Sequence, residues 1–171
     1  QIFADFSGYT DIARGSAKIL GINLTANFNN PYASRSPTDF WRRWHISLST
    51  WFRDYVYIPL GGSRSGARRN VINLMITFLL TGLWHGAAWN FVLWGGYHGA
   101  LILLDRFLSS RIPMSGMLAR VAGIFLTFVL IQFGWLLFRA RDLGIIWDSL
   151  SAQLNGSAVG DAVRFFAGRQ N

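Results

Sequence analysis

The 171-residue chain contains no cysteine, and this absence excludes a disulfide framework, a thiolate metal site and a cysteine nucleophile. Charged residues are also scarce, at 14% of the sequence against about 25% in ordinary soluble domains. Hydrophobic residues make up 51% of the chain and aromatic residues 16%. A composition so low in charge and so rich in apolar side chains predicts a protein whose surroundings are a lipid bilayer.

Acidic residues are the scarcer of the charged residues, with 8 Asp and Glu against 16 Lys and Arg and a formal net charge of +8. Nucleic-acid binding needs basic residues on a face exposed to water, whereas here several of them flank apolar runs, as in membrane proteins. We therefore expect no nucleic-acid partner. The sequence also lacks an initiator Met and a signal sequence near Gln1, and we expect it to be part of a longer protein.

The first third of the chain predicts two helical regions joined by a loop. Residues 1–21 predict a helix, or a helix pair broken near Gly8, in which Asp11 and Arg14 lie close enough to pair. Residues 23–35 are rich in Asn, Ser and Pro and predict the loop. After it, Ser36 and Pro37 form a helix start signal, because serine caps helices and proline suits the first helical position.

From this start signal, tryptophan and leucine recur every three or four residues, while arginines fall largely elsewhere on the helical wheel. The pattern predicts an amphipathic helix over residues 37–58. Indoles and guanidinium groups favour the headgroup layer, so we expect this helix to lie at the membrane interface. A partly buried helix of a soluble domain is the alternative interpretation.

Two uncharged runs follow. Residues 70–104 contain no Asp, Glu, Lys or Arg, and they are too long for one helical crossing of a hydrocarbon core of about 30 Å and slightly too short for two. Their glycines predict an interrupted membrane segment. Residues 121–138 are uncharged and predict a transmembrane helix, and residues 141–166 an amphipathic segment. The chain is therefore predicted to be a single all-α, multi-span membrane domain over residues 1–171.

The uncharged run contains His85 and His98. An imidazole in a membrane is by default a functional candidate, and desolvation keeps it a neutral base. His85 lies at the expected interruption, between Trp84 and Gly86, and is the predicted base. His98 is predicted to be structural. His45 borders the apolar face of the predicted interfacial helix, where it is either a second participant or an ordinary interfacial side chain.

Three other functions would also use membrane-embedded histidines. A zinc or iron site needs three or four ligands, usually with a carboxylate, and the uncharged run has none, so no metal is predicted. A haem would require His85 and His98 to face each other from different helices. In a non-catalytic transporter or channel subunit, the same two histidines would line a proton or solute path.

Four blocks of the sequence carry a family resemblance. They are ADFSGYTDIARGSAKILGI at 4–22, NFNNPYASRSPTDFWRRWHISLSTWFRDYVYIPLGG at 27–62, TGLWHGAAWNFVLWGGYHG at 81–99 and the apolar segment at 121–138. The chain resembles the membrane-bound O-acyltransferase family, and within it the bacterial branch typified by alginate O-acetyltransferase. Relatives are much longer, with several spans before the region that matches Gln1.

The resemblance implies a multi-span helical fold around a tunnel, in which the acyl donor and the acceptor reach one buried histidine from opposite sides. The near-universal histidine of the family corresponds to His85. A second polar position, which is Asn or Asp in several branches and His in the bacterial polysaccharide branch, corresponds to His45. Trp84, Trp89, Trp44 and Arg43 are the candidate substrate-binding residues.

The implied reaction takes an acetyl or other short acyl group from a cytoplasmic thioester, either acetyl-CoA or an acyl carrier. The acceptor is an exported polysaccharide such as alginate, reached directly or through an extracytoplasmic partner protein, and the location is the bacterial inner membrane. No tightly bound cofactor is implied. D-alanyl transfer to teichoic acid and acylation of peptidoglycan are the alternatives within the family. In each case a neutral imidazole takes the hydroxyl proton, and indole or backbone N–H groups stabilise the oxyanion.

Overall fold

The computed structural model describes residues 1–111, 116–139 and 151. The helices are α1 (Ile2–Ile19), α2 (Pro37–Trp41), α3 (Ile46–Phe52), α4 (Ala67–His85), α5 (Trp89–Ser109) and α6 (Met117–Arg139), with a 3-10 turn at Pro31–Ala33 and a π-helical turn at Arg53–Tyr57. No strand occurs within these ranges, which confirms the all-α prediction for this part of the chain. The predicted amphipathic segment at 141–166 lies outside the described residues.

Helix α1 is continuous from Ile2 to Ile19, so the alternative of a break near Gly8 is wrong. A glycine inside a helix costs about 1 kcal/mol relative to alanine, which weakens the helix without ending it. The predicted pairing of Asp11 with Arg14 is confirmed, with 3.3 Å between the carboxylate oxygen and the guanidinium nitrogen.

The start signal at Ser36 is also confirmed. Its hydroxyl oxygen accepts a hydrogen bond from the backbone N–H of Asp39 at 3.3 Å, and Pro37 occupies the first helical position. Asp39 in turn accepts from the backbone N–H of Arg35 at 3.2 Å. These bonds satisfy backbone donors at the helix start, where no intrahelical acceptor exists.

The predicted continuous helix over 37–58 is divided in the structure into α2, α3 and the π-helical turn. His45 separates α2 from α3 because its backbone is left-handed, with φ 44 and ψ 55. A right-handed helix cannot continue through such a residue. The hydrophobic spacing gave no sign of this break, because Trp41, Trp44 and Leu48 keep a helical period across it.

The uncharged run folds into an antiparallel hairpin. Helix α4 ends at His85, residues 86–88 form the tip, and α5 begins at Trp89. Two glycines bring the helices together, because a Cβ at Gly82 would collide with the carbonyl oxygen of Phe91 and one at Gly95 with that of Phe78. Such backbone contact through small residues is typical of helix pairs in membranes.

Helix α6 packs beside α5 and α2 around an aromatic core. The buried core residues are Phe40, Trp44, Trp94, Ile131, Trp135 and Leu137. Within the described ranges, α6 is the one helix that is long and apolar enough to cross a membrane, and 22% of its most apolar window is buried inside the structure. Most of its apolar surface therefore faces outward. Further crossings stay a prediction.

Candidate active site

His85 ends α4 at the tip of the hairpin and is half-buried. Its ring is edge-on to the rings of Trp94 and Phe138, with centroids 5.2 and 5.1 Å away. Trp84 contacts it from its own helix, at 4.9 Å. Among the described residues no group forms a hydrogen bond with the imidazole. Aromatic walls therefore hold the ring while both its nitrogens remain available for chemistry.

His45 is held at the turn between α2 and α3 by the loop that precedes α2. The backbone N–H of Ile46 donates to the carbonyl oxygen of Asn27 at 3.0 Å, and the N–H of Asn29 donates to the carbonyl oxygen of Arg43 at 3.0 Å. A non-glycine residue in the left-handed region is strained and persists where its surroundings determine it. These two backbone bonds supply that constraint and fix the direction of the His45 side chain.

The imidazole of His45 is half-buried and lies edge-on to Phe6, with ring centroids 4.7 Å apart. Burial lowers the pKa of His45 to about 4, and the charge of the nearby His85 acts in the same direction. The ring is therefore neutral at neutral pH, because its ordinary pKa is already about 6.5. A neutral imidazole has one donor and one acceptor nitrogen.

The indole of Trp84 lies close to both His45 and His85. Its ring centroid lies 6.3 Å from that of His45 and 4.9 Å from that of His85. The side chain is 57% exposed, so part of the indole is open to a ligand. The fold thus brings His45, from the turn between α2 and α3, beside Trp84 and His85 at the end of α4.

The other predicted substrate-binding residues lie elsewhere. Trp89 is 78% exposed at the start of α5, and Trp44 is buried in the aromatic core. The guanidinium of Arg43 pairs with Asp39, with 2.8 Å between nitrogen and oxygen. The structure does not bring these three side chains into the cluster of His45, Trp84 and His85.

His98 is 0% exposed, in the middle of the hairpin. Its Nδ1 accepts a hydrogen bond from Trp41 at 3.3 Å, and its Nε2 is buried. The geometry gives no support to a haem held by His85 and His98, because neither nitrogen of His98 is accessible. The same burial argues against the transporter alternative, in which His98 would line a proton or solute path.

Trp94 and Phe138 are the site residues that sequence reasoning missed. Trp94 is 1% exposed and its indole nitrogen is buried without a partner among the described residues. No local signal distinguishes it, because tryptophans recur throughout the uncharged run. Phe138 reaches His85 only through the packing of α6 on the hairpin.

A cavity of about 240 Å³ lies between α2, α3, α4 and α5. It follows α4 from Leu74 to Thr81 and stops about one turn before His85. Neither His45 nor His85 lines it. Two threonines, one phenylalanine and one leucine of α4 form its wall on that side, and Arg42 and Arg106 also line it.

The fold and the site define a helical protein that holds two imidazoles around one indole. Comparison with known proteins assigns the family. The sequence model of the membrane-bound O-acyltransferase family matches residues 1–140. The chain therefore belongs to the membrane-bound O-acyltransferase family, as its four sequence blocks predicted.

Individual relatives agree with this assignment. The chain is 46% identical to a probable alginate O-acetylase AlgI of Azotobacter vinelandii over 91% of its own length and 31% of the relative. It is 41% identical to a peptidoglycan O-acetyltransferase of Helicobacter pylori, over 84% of its length and 27% of the relative. It is 34% identical to a teichoic acid D-alanyltransferase of Bacillus subtilis, over 82% of its length and 38% of the relative. It thus spans well under half of each of these three relatives.

Proposed function

We propose that this chain is part of a bacterial inner-membrane O-acyltransferase that moves an acetyl group from a cytoplasmic thioester to hydroxyl groups of an exported polysaccharide. The observation that carries the proposal is the meeting of His45 and His85 at Trp84. His45 lies in the turn between α2 and α3 and His85 at the end of α4, in a chain of the membrane-bound O-acyltransferase family. The multi-span architecture belongs to the same proposal.

His85 is the proposed base. The acceptor hydroxyl oxygen attacks the thioester carbonyl carbon while its proton moves to the unprotonated nitrogen of His85. The carbon–sulfur bond then breaks, and the leaving thiolate takes the proton from the imidazolium. Proton and electron pairs balance within one cycle, so the histidine is regenerated. The aromatic wall of Trp94 and Phe138 supports this role by limiting water, which would hydrolyse the thioester.

His45 is the proposed second participant. Being neutral at neutral pH, it can donate a hydrogen bond from its one N–H group to the acceptor hydroxyl oxygen and hold that oxygen near His85. The half-exposed indole of Trp84 lies between the two rings and is the proposed donor to the carbonyl oxygen, because stabilising the oxyanion requires an N–H group close to it. Trp44, Trp89 and Arg43 are not given a role in this proposal.

An acetyl group and a polysaccharide acceptor are favoured by the relatives. The alginate and peptidoglycan relatives, at 46% and 41% identity, are named for O-acetyl transfer, whereas the D-alanyl relative is 34% identical. The donor is acetyl-CoA or an acetylated carrier. Delivery through an extracytoplasmic partner protein is the second form of the same proposal.

The test is the His85→Gln substitution in the complete protein, expressed in cells that lack the native enzyme. Membranes are supplied with cytosolic extract and radiolabelled acetyl-CoA, and acetyl transfer to polymer is counted. We expect activity to fall about 10²- to 10⁴-fold, the usual contribution of a general base. Trp51→Phe, at an exposed tryptophan outside the cluster, is the control. Wild-type activity in a stably inserted His85→Gln variant would remove the assignment.

A further inference from the structure

His98 is a buried histidine that the proposed reaction does not use. Its Nδ1 accepts the indole hydrogen of Trp41 at 3.3 Å, and a neutral ring that accepts at Nδ1 carries its proton on Nε2. That Nε2 is buried and has no partner among the described residues. A buried donor without an acceptor is unfavourable. An apolar side chain of similar size would avoid this cost, so the histidine calls for an explanation other than core filling.

The packing around His98 is fitted to its ring. A Cβ added at Gly134 of α6 would collide with Nε2 of His98, so the glycine leaves the space that the ring occupies. On the other side, Trp41 and Trp94 lie edge-on to the imidazole, with ring centroids 5.1 and 5.0 Å away. The ring is therefore held between α6 and two indoles, in the orientation that directs Nδ1 to Trp41.

Trp41 connects this buried ring to the candidate active site. It is the last residue of α2 and precedes the turn that carries His45. Its indole also contacts Phe78 of α4 and Trp94 of α5, at 5.3 and 5.6 Å. Trp94 in turn contacts His85 at 5.2 Å. The hydrogen bond to His98 thus joins the end of α2 to the same hairpin that holds the base.

We propose that His98 is a positioning residue whose hydrogen bond with Trp41 sets the turn of His45 against the hairpin tip of His85. The proposal rests on the proposed function, since it assigns His98 to the alignment of the two participating imidazoles. It does not place His98 in contact with substrate. Small displacements of reacting groups reduce rates strongly, by about 100-fold for a misplacement of about 1 Å.

The experiment separates alignment from stability. In the double variant Trp41→Phe/His98→Leu, donor and acceptor are removed together along with the unpaired Nε2–H group. Replacing both partners by apolar groups is nearly neutral or stabilising for folding. We expect the thermal unfolding temperature in detergent to stay at or above that of the wild type, while kcat for acetyl transfer falls about 10- to 100-fold. KM for acetyl-CoA is expected to change little.

The rescue variant is His98→Asn, whose amide oxygen stands near the position of Nδ1 and accepts from Trp41. We expect it to recover most of the kcat that His98→Leu loses. Trp51→Phe is the matched control for the indole substitution. The complete protein is assayed in membranes with cytosolic extract and radiolabelled acetyl-CoA, with thermal unfolding measured on the purified variants.

Two results would overturn the positioning role. One is a double variant with wild-type kcat. The other is equal impairment of His98→Asn and His98→Leu, because then the hydrogen bond is not what matters. The His85→Gln variant, assayed in parallel, distinguishes failure of the positioning role from failure of the proposed function. If His85→Gln is inactive while the double variant is fully active, only the positioning role fails; if His85→Gln is active, the base assignment fails.

Discussion

His85 and His98 belong to one uncharged run and to one hairpin, yet the fold treats them differently. His85 lies at the tip, half-buried and without a hydrogen-bond partner in the described ranges. His98 lies in the middle of α5, fully buried and bonded to Trp41. The difference teaches that one apolar hairpin can leave one imidazole accessible, as the proposed base requires, and enclose another, as the proposed positioning role requires.

The largest effect is expected where α4 and α5 make backbone contact, at Gly95. Gly95→Ala is expected to prevent folding, because its Cβ would collide with the carbonyl oxygen of Phe78, and backbone cannot move as a flexible side chain can. Gly96→Ala is the neighbouring control, since its Cβ meets only Leu79 at 3.7 Å and alanine favours the helix by about 1 kcal/mol. Yield of folded protein in detergent is the measurement. Equal yields would refute close packing at Gly95.

The next largest effect is expected at His45, in the turn that faces the hairpin tip through Trp84. His45→Ala removes the polar group beside Trp84, and we expect kcat for acetyl transfer to fall about 10- to 100-fold, less than for the base itself. His45→Asn keeps a hydrogen-bonding group at the same place and is expected to retain more of the activity. Steady-state kinetics on membranes compare the two. Equal losses would mean that the hydrogen-bonding capacity at this position is not used.

A smaller effect is expected at the tip. A Cβ at Gly86 would lie 2.5 and 2.8 Å from ring carbons of Phe91, so the ring must shift. Phe91 contacts Phe138, at 5.1 Å between centroids, and Phe138 contacts His85. We expect Gly86→Ala to lower kcat only a few-fold, because a side chain rather than backbone gives way. An unchanged kcat would indicate that the aromatic wall does not orient the base.

The smallest effect is a pH dependence of stability. The pKa of His45 is lowered to about 4 in the folded chain, against about 6.5 when unfolded. Between these values the unfolded state binds a proton that the folded state does not, so the free energy of unfolding decreases as the pH falls through this window. His45→Asn lacks this titration. Its unfolding temperature should fall less than that of the wild type between about pH 7 and pH 5, and parallel decreases would contradict the burial of His45.

Local chemistry made part of the fold predictable. Ser36 and Pro37 predicted the start of α2, because a helix cap is formed by residues that are close in the sequence. The glycines of the uncharged run predicted its interruption, and the family resemblance identified His45 and His85 as candidate site residues. The left-handed turn at His45 could not be predicted, because apolar spacing continues across it. The hydrogen bond between Trp41 and His98 could not be predicted either, because the two residues are far apart in the sequence and neither local sequence indicates the other.

The left-handed backbone at His45 has a consequence for which amino acids can replace it. β-branched residues are the most severely disfavoured in this conformation, whereas Asn, Asp and His are several-fold enriched there. These are the same three residues that the family resemblance implies at this position across its branches. The backbone conformation thus limits which amino acids fit at this position, and the chemistry of the side chain decides among those that fit. At this position the backbone therefore favours short polar or imidazole side chains over β-branched ones.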